Sequence, residues 1–435
     1  MSPRELALKI LNRIEKRDSY LNIVLNNILN KEKALSSLDR AFITDLVYGV
    51  TRHRLRIDWI IGEFSNIKKI DTDIMNALRL GIYQLLFLDR VPPSAAINEA
   101  VKLVKQHAKA FVNAVLRNID RNREYIRYPD NSISNISILY SHPEWMVKRW
   151  YSRYGPEETR RICELNNRVP QITIRANKLK INRDDLIEIL RKEGMREVSP
   201  AKFSKDGIYI RGSGSIERFK SFRDGLFQVQ DEASQLISYI LSPNLGDRVL
   251  DICSAPGGKT THIAELMGNE GEIYSIDINR NRQLFLKRSC LRLGIDIVKI
   301  IIEDVLSYLD SIKNIKFSKI LIDPPCSGLG VLSRNPDIKW RRKEEDIYLL
   351  SELQLNIINN VSRFLEKDGI MVYSVCTLEK EENEDIIKKF LEDNKDFILI
   401  EVPKWLNLFN NNGFFNTLPF IDIMDGFFAA CLKRI

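Results

Sequence analysis

At 435 residues and 44% hydrophobic content, the chain can bury the cores of two or three domains. It lacks any apolar run near the eighteen or so residues of a membrane span, and Met-Ser-Pro-Arg-Glu carries no signal-peptide core, so a soluble, cytosolic protein with no membrane partner is expected. The net charge of +8 sits at the front: residues 1–130 hold 22 Lys and Arg against 15 Asp and Glu, residues 131–240 hold 19 against 14, and the remainder 25 against 29. A basic front and a slightly acidic rear suggest that the front meets a polyanion and the rear does chemistry. Six cysteines without a CxxC pair and only four histidines argue against a disulfide framework, a zinc site or a Ser-His relay.

The first 130 residues read as helices, with Leu6, Ile10 and Ile14, then Ile74, Leu78 and Ile82, at four-residue spacing. VPPSAAINEAVKLVKQ places a proline–serine start before an amphipathic run. This predicts a helical RNA-binding bundle over 1–130, with a candidate RNA face at Arg52, Arg54, Arg56, Arg117, Arg121, Arg123 and Arg127, and Tyr125 and Tyr128 beside the last of these. RYPDNSISNIS marks a boundary, and Gly155-Pro156 breaks the helical pattern that follows. From PQITIRAN the texture becomes strand, helix, strand, strand, so residues 131–225 are expected to form two helices and a small α+β module.

From 226 to 435 helix and strand alternate: DEASQLISYI, RVLDIC, TTHIAELM, EIYSIDI, RQLFLKRSCLRLG, IVKIII, KILID, a long helix through LSELQLNIINNVSRFL, and GIMVYSV. That pattern predicts an α/β domain with a largely parallel, doubly wound Rossmann-like sheet, and FILIEV with FFAACLKR could close it as a hairpin at one edge.

Chemistry concentrates at the strand ends. In RVLDICSAPGGKTTHI a strand with Asp251 leads through a small-residue turn into a helix start, where backbone amides can approach a polar ligand. It is neither a Walker A loop, since Cys253 stands where that loop needs glycine, nor a GxGxxG fingerprint. Asp277 ends the next strand, placed to accept ribose hydroxyls, and Asp304 ends the third, placed for an adenine amino group. Any one such acid is more often a helix cap or turn former; three together with SAPGGK and DPPC point to a nucleoside. Cys326 in KILIDPPCSGLG and Cys376 in GIMVYSVCTLEKEEN each follow a strand, and a carboxylate beside two thiols suits nucleophilic catalysis on an electron-poor ring. The bland reading of a free cysteine is a small buried hydrophobe, assigned here to Cys163, Cys290 and Cys431.

LDICSAPGGKTTHIAE, LIDPPCSGLGVLSRNPDIKW and VYSVCTLEKEENE, with QVQDEASQL and MDGFFAACLKR, resemble the RNA cytosine-5 methyltransferases, most closely the bacterial RsmB (Fmu or Sun) family acting on 16S ribosomal RNA. The front helices are similar to the NusB fold, and the middle module is read as RRM-like. The resemblance implies S-adenosylmethionine, leaving as S-adenosylhomocysteine, bound by Cys253, Ser254, Ala255, Pro256, Gly257, Gly258, Lys259, Asp277, Asp304 and Asp323. It implies catalysis by Cys376 as nucleophile, Cys326 as assistant in release, Asp323 against the ring's amidine edge and Lys259 as an electrostatic aid, at a cytosine of the 967 type in 16S rRNA. Position alone leaves either cysteine open as nucleophile. Competing readings are a cytosine-5 methyltransferase for another rRNA or tRNA site, an amino-methyltransferase, disfavoured because Cys326 replaces its stacking aromatic, and a non-catalytic antitermination factor. Nothing in the sequence demands more than a monomer.

Overall fold

The structure, a computed structural model, describes residues 1–435 apart from 18, 67–69, 213, 313 and 420–423. The chain forms two compact units, one of residues 1–169 with 332–342, the other of 170–331 with 343–435. Compactness therefore divides the chain elsewhere than the texture boundaries at 130/131 and 225/226: the helices of 131–169 pack with the bundle, and the small α+β module with the large sheet.

The first unit is built from helices Pro3–Arg17, Leu21–Lys31, Ser37–Arg52, Arg54–Phe64, Thr72–Phe87, Pro93–Lys102, Gln106–Arg121, Ser132–Leu139 and Glu144–Asn166. Local chemistry sets their ends. The Ser36 hydroxyl accepts the Asp39 N–H, Asn131 caps Ile133 and Ser134, and Gly155, at φ +81°, kinks the last helix as its Gly-Pro pair predicts. Leu6, Ile10, Leu78 and Ile82 are fully buried in one core with Val112, Leu116 and Ile119. Helices Ser37–Arg52 and Thr72–Phe87 approach so closely that a Cβ on Gly49 would lie 1.9 Å from the Tyr83 ring.

Residues 332–342 return to this unit from the far end of the sequence, and they are held by buried polar bonds. Lys339, 1% exposed, donates from Nζ to the Arg52 carbonyl (2.8 Å), the Ser141 carbonyl (2.9 Å) and Asn167 Oδ1 (3.1 Å). Trp340 Nε1 donates to the Thr51 carbonyl, Arg52 to the Ser333 carbonyl, and the Leu21 amide to Asp337. Burial, reinforced by the Arg52 charge, pushes the Lys339 ammonium well below the usual lysine range.

The second unit begins with strands β1 (Ile172–Ala176), β2 (Glu197–Pro200), β3 (Gly207–Arg211) and β4 (Phe227–Val229), an antiparallel sheet in the order β2-β3-β1-β4. Helix Arg183–Lys192 covers it through Leu186, Ile187 and Leu190. The large sheet follows with β5 (Arg248–Ile252), β6 (Glu272–Ile276), β7 (Val298–Ile301), β8 (Phe317–Ile322), β9 (Leu365–Val375), β10 (Phe397–Ile400), β11 (Asn410–Asn411), β12 (Phe414–Thr417) and β13 (Phe427–Arg434). Its order is β11-β12-β13-β9-β8-β5-β6-β7, with β10 also on β13; β7, β6, β5, β8 and β9 run parallel, and β13 is antiparallel to β9. Ile320, Leu321 and Ile322 are all buried, as a strand covered on both faces requires. Strand order reverses between β5 and β8, and the crevice at such a switch point is where an open α/β sheet binds its ligand.

Candidate active site

At the switch point the Asp323 amide bonds the Ile252 carbonyl at 3.2 Å, fixing the ends of β5 and β8 side by side. From β5 the chain turns through Cys253 at φ +57° and Gly257 at φ +95° into helix Gly258–Leu266. The left-handed φ at Gly257 is natural to glycine, and a Cβ there would also lie 2.2 Å from Leu286. Side-chain bonds help shape this turn. Asp277, after β6, accepts the Ala255 N–H on Oδ2 (3.2 Å) and the Asn279 N–H on Oδ1 (2.7 Å), while the Ser254 hydroxyl meets that of Ser275 at 2.6 Å. Beneath it, fully buried Asp251 accepts the Thr260 hydroxyl at 2.6 Å, and among the described residues its Oδ1 meets no donor. Burial pushes the Asp251 carboxyl up to about 7, with the Asp323 and Asp277 charges adding to it.

The Cys253 thiol is pushed up by burial first and then by Asp277, Asp323, Asp251 and Asp304, so four carboxylates surround the turn. That donor set fits S-adenosylmethionine: its sulfonium and ammonium are cations, and a negative field favours both. Lys259 completes the corner, with Nζ 2.6 Å from Asp323 Oδ2 and 5.3 Å from the Phe427 ring centroid. The Ser374 hydroxyl, on β9, donates to the other Asp323 oxygen at 3.3 Å.

The two cysteine loops meet beside this corner. Cys326 Sγ and Cys376 Sγ lie 3.3 Å apart, both partly exposed. The bond to Cys376 raises the Cys326 thiol well above the usual cysteine range and burial adds to it, and either sulfur can donate in that bond. Around the pair, the Ser327 and Thr377 hydroxyls bond at 2.7 Å, the Gly330 amide reaches the Cys376 carbonyl at 3.0 Å, and the Gly426 amide the Gly330 carbonyl at 2.8 Å. A Cβ on Gly330 would sit 2.0 Å from the Gly426 carbonyl oxygen, so only glycine lets these loops close.

The structure thus gathers Cys253 to Lys259, Asp277, Asp323, Cys326 and Cys376 around the ends of β5, β6, β8 and β9, and buries Cys163, Cys290 and Cys431. Asp304, after β7, also serves its own helix: its Oδ1 caps Val305–Ser311 by accepting the Leu306 and Ser307 N–H groups at 3.0 and 3.2 Å, the common use of an Asp before a helix. On the candidate RNA face, Arg117, Arg121, Arg123, Arg127 and Tyr125 are exposed. Arg52 is not: 5% exposed, it is committed to Ser333, while Arg54 pairs with Glu15 and Asp58, and Arg56 bonds the Tyr128 hydroxyl. Residues the motif reading did not single out are Ser374, Gln354 and Glu382. Glu382 stood inside TLEKEENE, where Glu379 is buried as well, and what sets Glu382 apart is its bonds to Ser327 and Gln354.

The model of 16S rRNA methyltransferase RsmB/F matches residues 238–433, that of the NusB family residues 1–121, and that of the RsmF/B-like ferredoxin-like domain residues 142–217. The chain is 34% identical to a probable ribosomal RNA small subunit methyltransferase B of Bacillus subtilis, over 100% of this chain and 99% of that one. With a protein of the same description from Synechocystis the identity is 35%, over 100% of both. Among solved structures, that of PH0851 is 28% identical and superposes over 100% of this chain and 99% of its own with a TM-score of 0.84.

Proposed function

Because the chain belongs to the family of ribosomal RNA small subunit methyltransferase B, an S-adenosylmethionine-dependent rRNA methyltransferase family, we propose that it methylates carbon 5 of a cytosine in 16S rRNA, of the 967 type, through a covalent bond from Cys376 to ring carbon 6. One observation carries the cytosine-5 chemistry: two thiols 3.3 Å apart beside the Asp323–Lys259 pair. An amino-methyltransferase has no use for such a pair.

Cytosine carbon 5 is too weak a nucleophile to take a methyl group unaided. Addition of the Cys376 thiolate to carbon 6 makes carbon 5 enamine-like and able to attack. Bound S-adenosylmethionine supplies the electrophilic methyl group. Asp323, held in place by Lys259 and Ser374, accepts from the exocyclic amino group to orient the ring, and the Lys259 ammonium offsets the negative charge that thiolate addition puts on it. Cys326, protonated and facing the Cys376 sulfur, stabilises that sulfur as it leaves. The exposed arginines of 117–127 supply affinity for the RNA backbone.

The test is a denaturing gel of protein with rRNA and tritiated S-adenosylmethionine. Cys376→Ala should give neither methylation nor adduct, and Cys326→Ala should trap a denaturation-resistant protein–RNA complex. Adduct from the Cys376 variant with none from the Cys326 variant would reverse the two roles. Mapping methylcytosine in the 16S rRNA of a strain lacking the protein tests the target.

A further inference from the structure

We propose that Glu382 is a positioning residue for Cys326, required for release of the methylated RNA and not for attack on it; this rests on the cysteine roles proposed above. Glu382 is fully buried between β9 and helix Glu384–Asp393. Its Oε1 accepts the Ser327 N–H at 2.8 Å and the Gln354 side-chain amide at 2.9 Å. That same Gln354 amide donates to the Pro325 carbonyl at 2.9 Å. One buried clamp therefore holds both peptide groups that flank Cys326. The Tyr373 hydroxyl, 2.7 Å from the Glu382 carbonyl and 3.0 Å from Gln354 Oε1, locks the clamp to β9.

A clamp serves this turn because Pro324 and Pro325 bring no N–H groups to it. Cys376 is held mainly by bonds the clamp does not make: it follows β9, whose last residue, Val375, pairs with Phe428 of β13, and its carbonyl takes the Gly330 amide, so the Ser327–Thr377 hydroxyl bond is its link to the clamped turn. Loss of Glu382 should accordingly displace Cys326 and spare Cys376. In release, a water molecule takes the carbon 5 proton, the electrons of the C–H bond form the carbon 5–carbon 6 double bond, and the carbon 6–sulfur pair returns to Cys376 Sγ. The Cys326 S–H steadies that thiolate across 3.3 Å, and misplacement by about 1 Å can cost ~100-fold in such a step. The carboxylate also favours the protonated Cys326 through its charge, which an amide would not.

The test uses full-length Glu382→Ala and Glu382→Gln with Cys326→Ala and Cys376→Ala as references, reading gel-stable RNA adduct and tritium transfer, and calorimetric binding of S-adenosylmethionine as the check on folding. Glu382→Ala should accumulate adduct about tenfold or more above the unmodified protein while turnover falls, as Cys326→Ala does. Glu382→Gln keeps an oxygen for Ser327 and should accumulate less. Unchanged adduct and turnover in Glu382→Ala would overturn the proposal, as would loss of both with cofactor binding intact. If Glu382→Ala binds no cofactor, Gln354→Leu, which removes the bond to Pro325, replaces it, and a lack of adduct there overturns the proposal. If Cys326→Ala itself traps no adduct, the cysteine roles fail and this inference falls with them.

Discussion

Arg175 on β1 offers a quantitative test of how the small sheet supports the cofactor turn. Its guanidinium, with no solvent exposure, spans Glu265 Oε1 (2.6 Å from Nη2) and Oε2 (3.0 Å from Nε), Thr261 Oγ1 (3.1 Å), the Gly258 carbonyl (2.9 Å) and Gln230 Oε1. Arg175→Met would leave the buried Glu265 carboxylate without its counter-charge, and removing one partner of a buried pair costs about 3–5 kcal/mol. The double variant Arg175→Met/Glu265→Met also removes the stranded charge, leaving chiefly the Gln230 acceptor unmet at about 1–3 kcal/mol, since the Thr261 hydroxyl still donates to the Gly258 carbonyl. The double variant should therefore be more stable than the single one. Burial already pushes the Glu265 carboxyl up; with Arg175 gone its folded value lies still further above the unfolded one, so the single variant regains relative stability as pH falls toward that range. Guanidinium denaturation followed by circular dichroism at several pH values measures all three proteins. A loss under about 1 kcal/mol in Arg175→Met, or a double variant weaker than the single, would refute the reasoning.

Asp277→Ala should weaken S-adenosylmethionine binding by about 1–3 kcal/mol, and Asp277→Asn by less because one side-chain oxygen can still hold a turn amide; calorimetry showing equal affinities would exclude Asp277 as a ligand. Lys339→Met strands three acceptors and should lower the stability of the first unit by about 1–3 kcal/mol. Because the folded ammonium is depressed below its unfolded value, the unfolded chain binds the extra proton, so the unmodified protein gains stability as pH rises from the depressed value toward about 10.4, and the Met variant should miss that gain in denaturation midpoints. Replacing exposed Arg117, Arg121 and Arg127 with Ala should reduce the salt slope of RNA binding by about one for each phosphate no longer neutralised, with cofactor affinity unchanged; an unaltered slope would move the RNA face elsewhere.

The large sheet was legible because parallel strands buried on both faces leave unbroken apolar runs such as KILID, each ending at a polar or small residue that marks the ligand edge. The terminal strands were half legible. FILIEV and FFAACLKR do pair, Phe397 opposite Arg434, but as β10 and β13 with β11 and β12 between them, because an eight-residue strand has room for two partners along one edge. β2 escaped notice as four residues ending in proline. Asp277 and Asp304 look alike in sequence, yet only the second is followed at once by a helix that takes its carboxylate as a cap. Arg52 and Glu382 show the limit of local reading: their burial comes from partners 281 and 55 residues away, Ser333 and Ser327. Charge runs such as these read as solvated until the chain is seen to return to them.

The return of residues 332–342 to the helical unit bears on how such a protein could have arisen and how it can be divided. A bundle appended to a finished enzyme would need only a linker at its junction. Here the polypeptide leaves the second unit after Val331, buries Lys339 in the first with half-buried Trp340 beside it, and goes back at Lys343. Cutting the gene after residue 130 or 169 would expose a buried lysine, an indole and the carbonyls they satisfy, so the excised catalytic part would be a damaged molecule instead of a minimal one. Recombination between relatives meets the same barrier: a front half and a rear half from different parents must agree on both sides of Lys339 before either is sound.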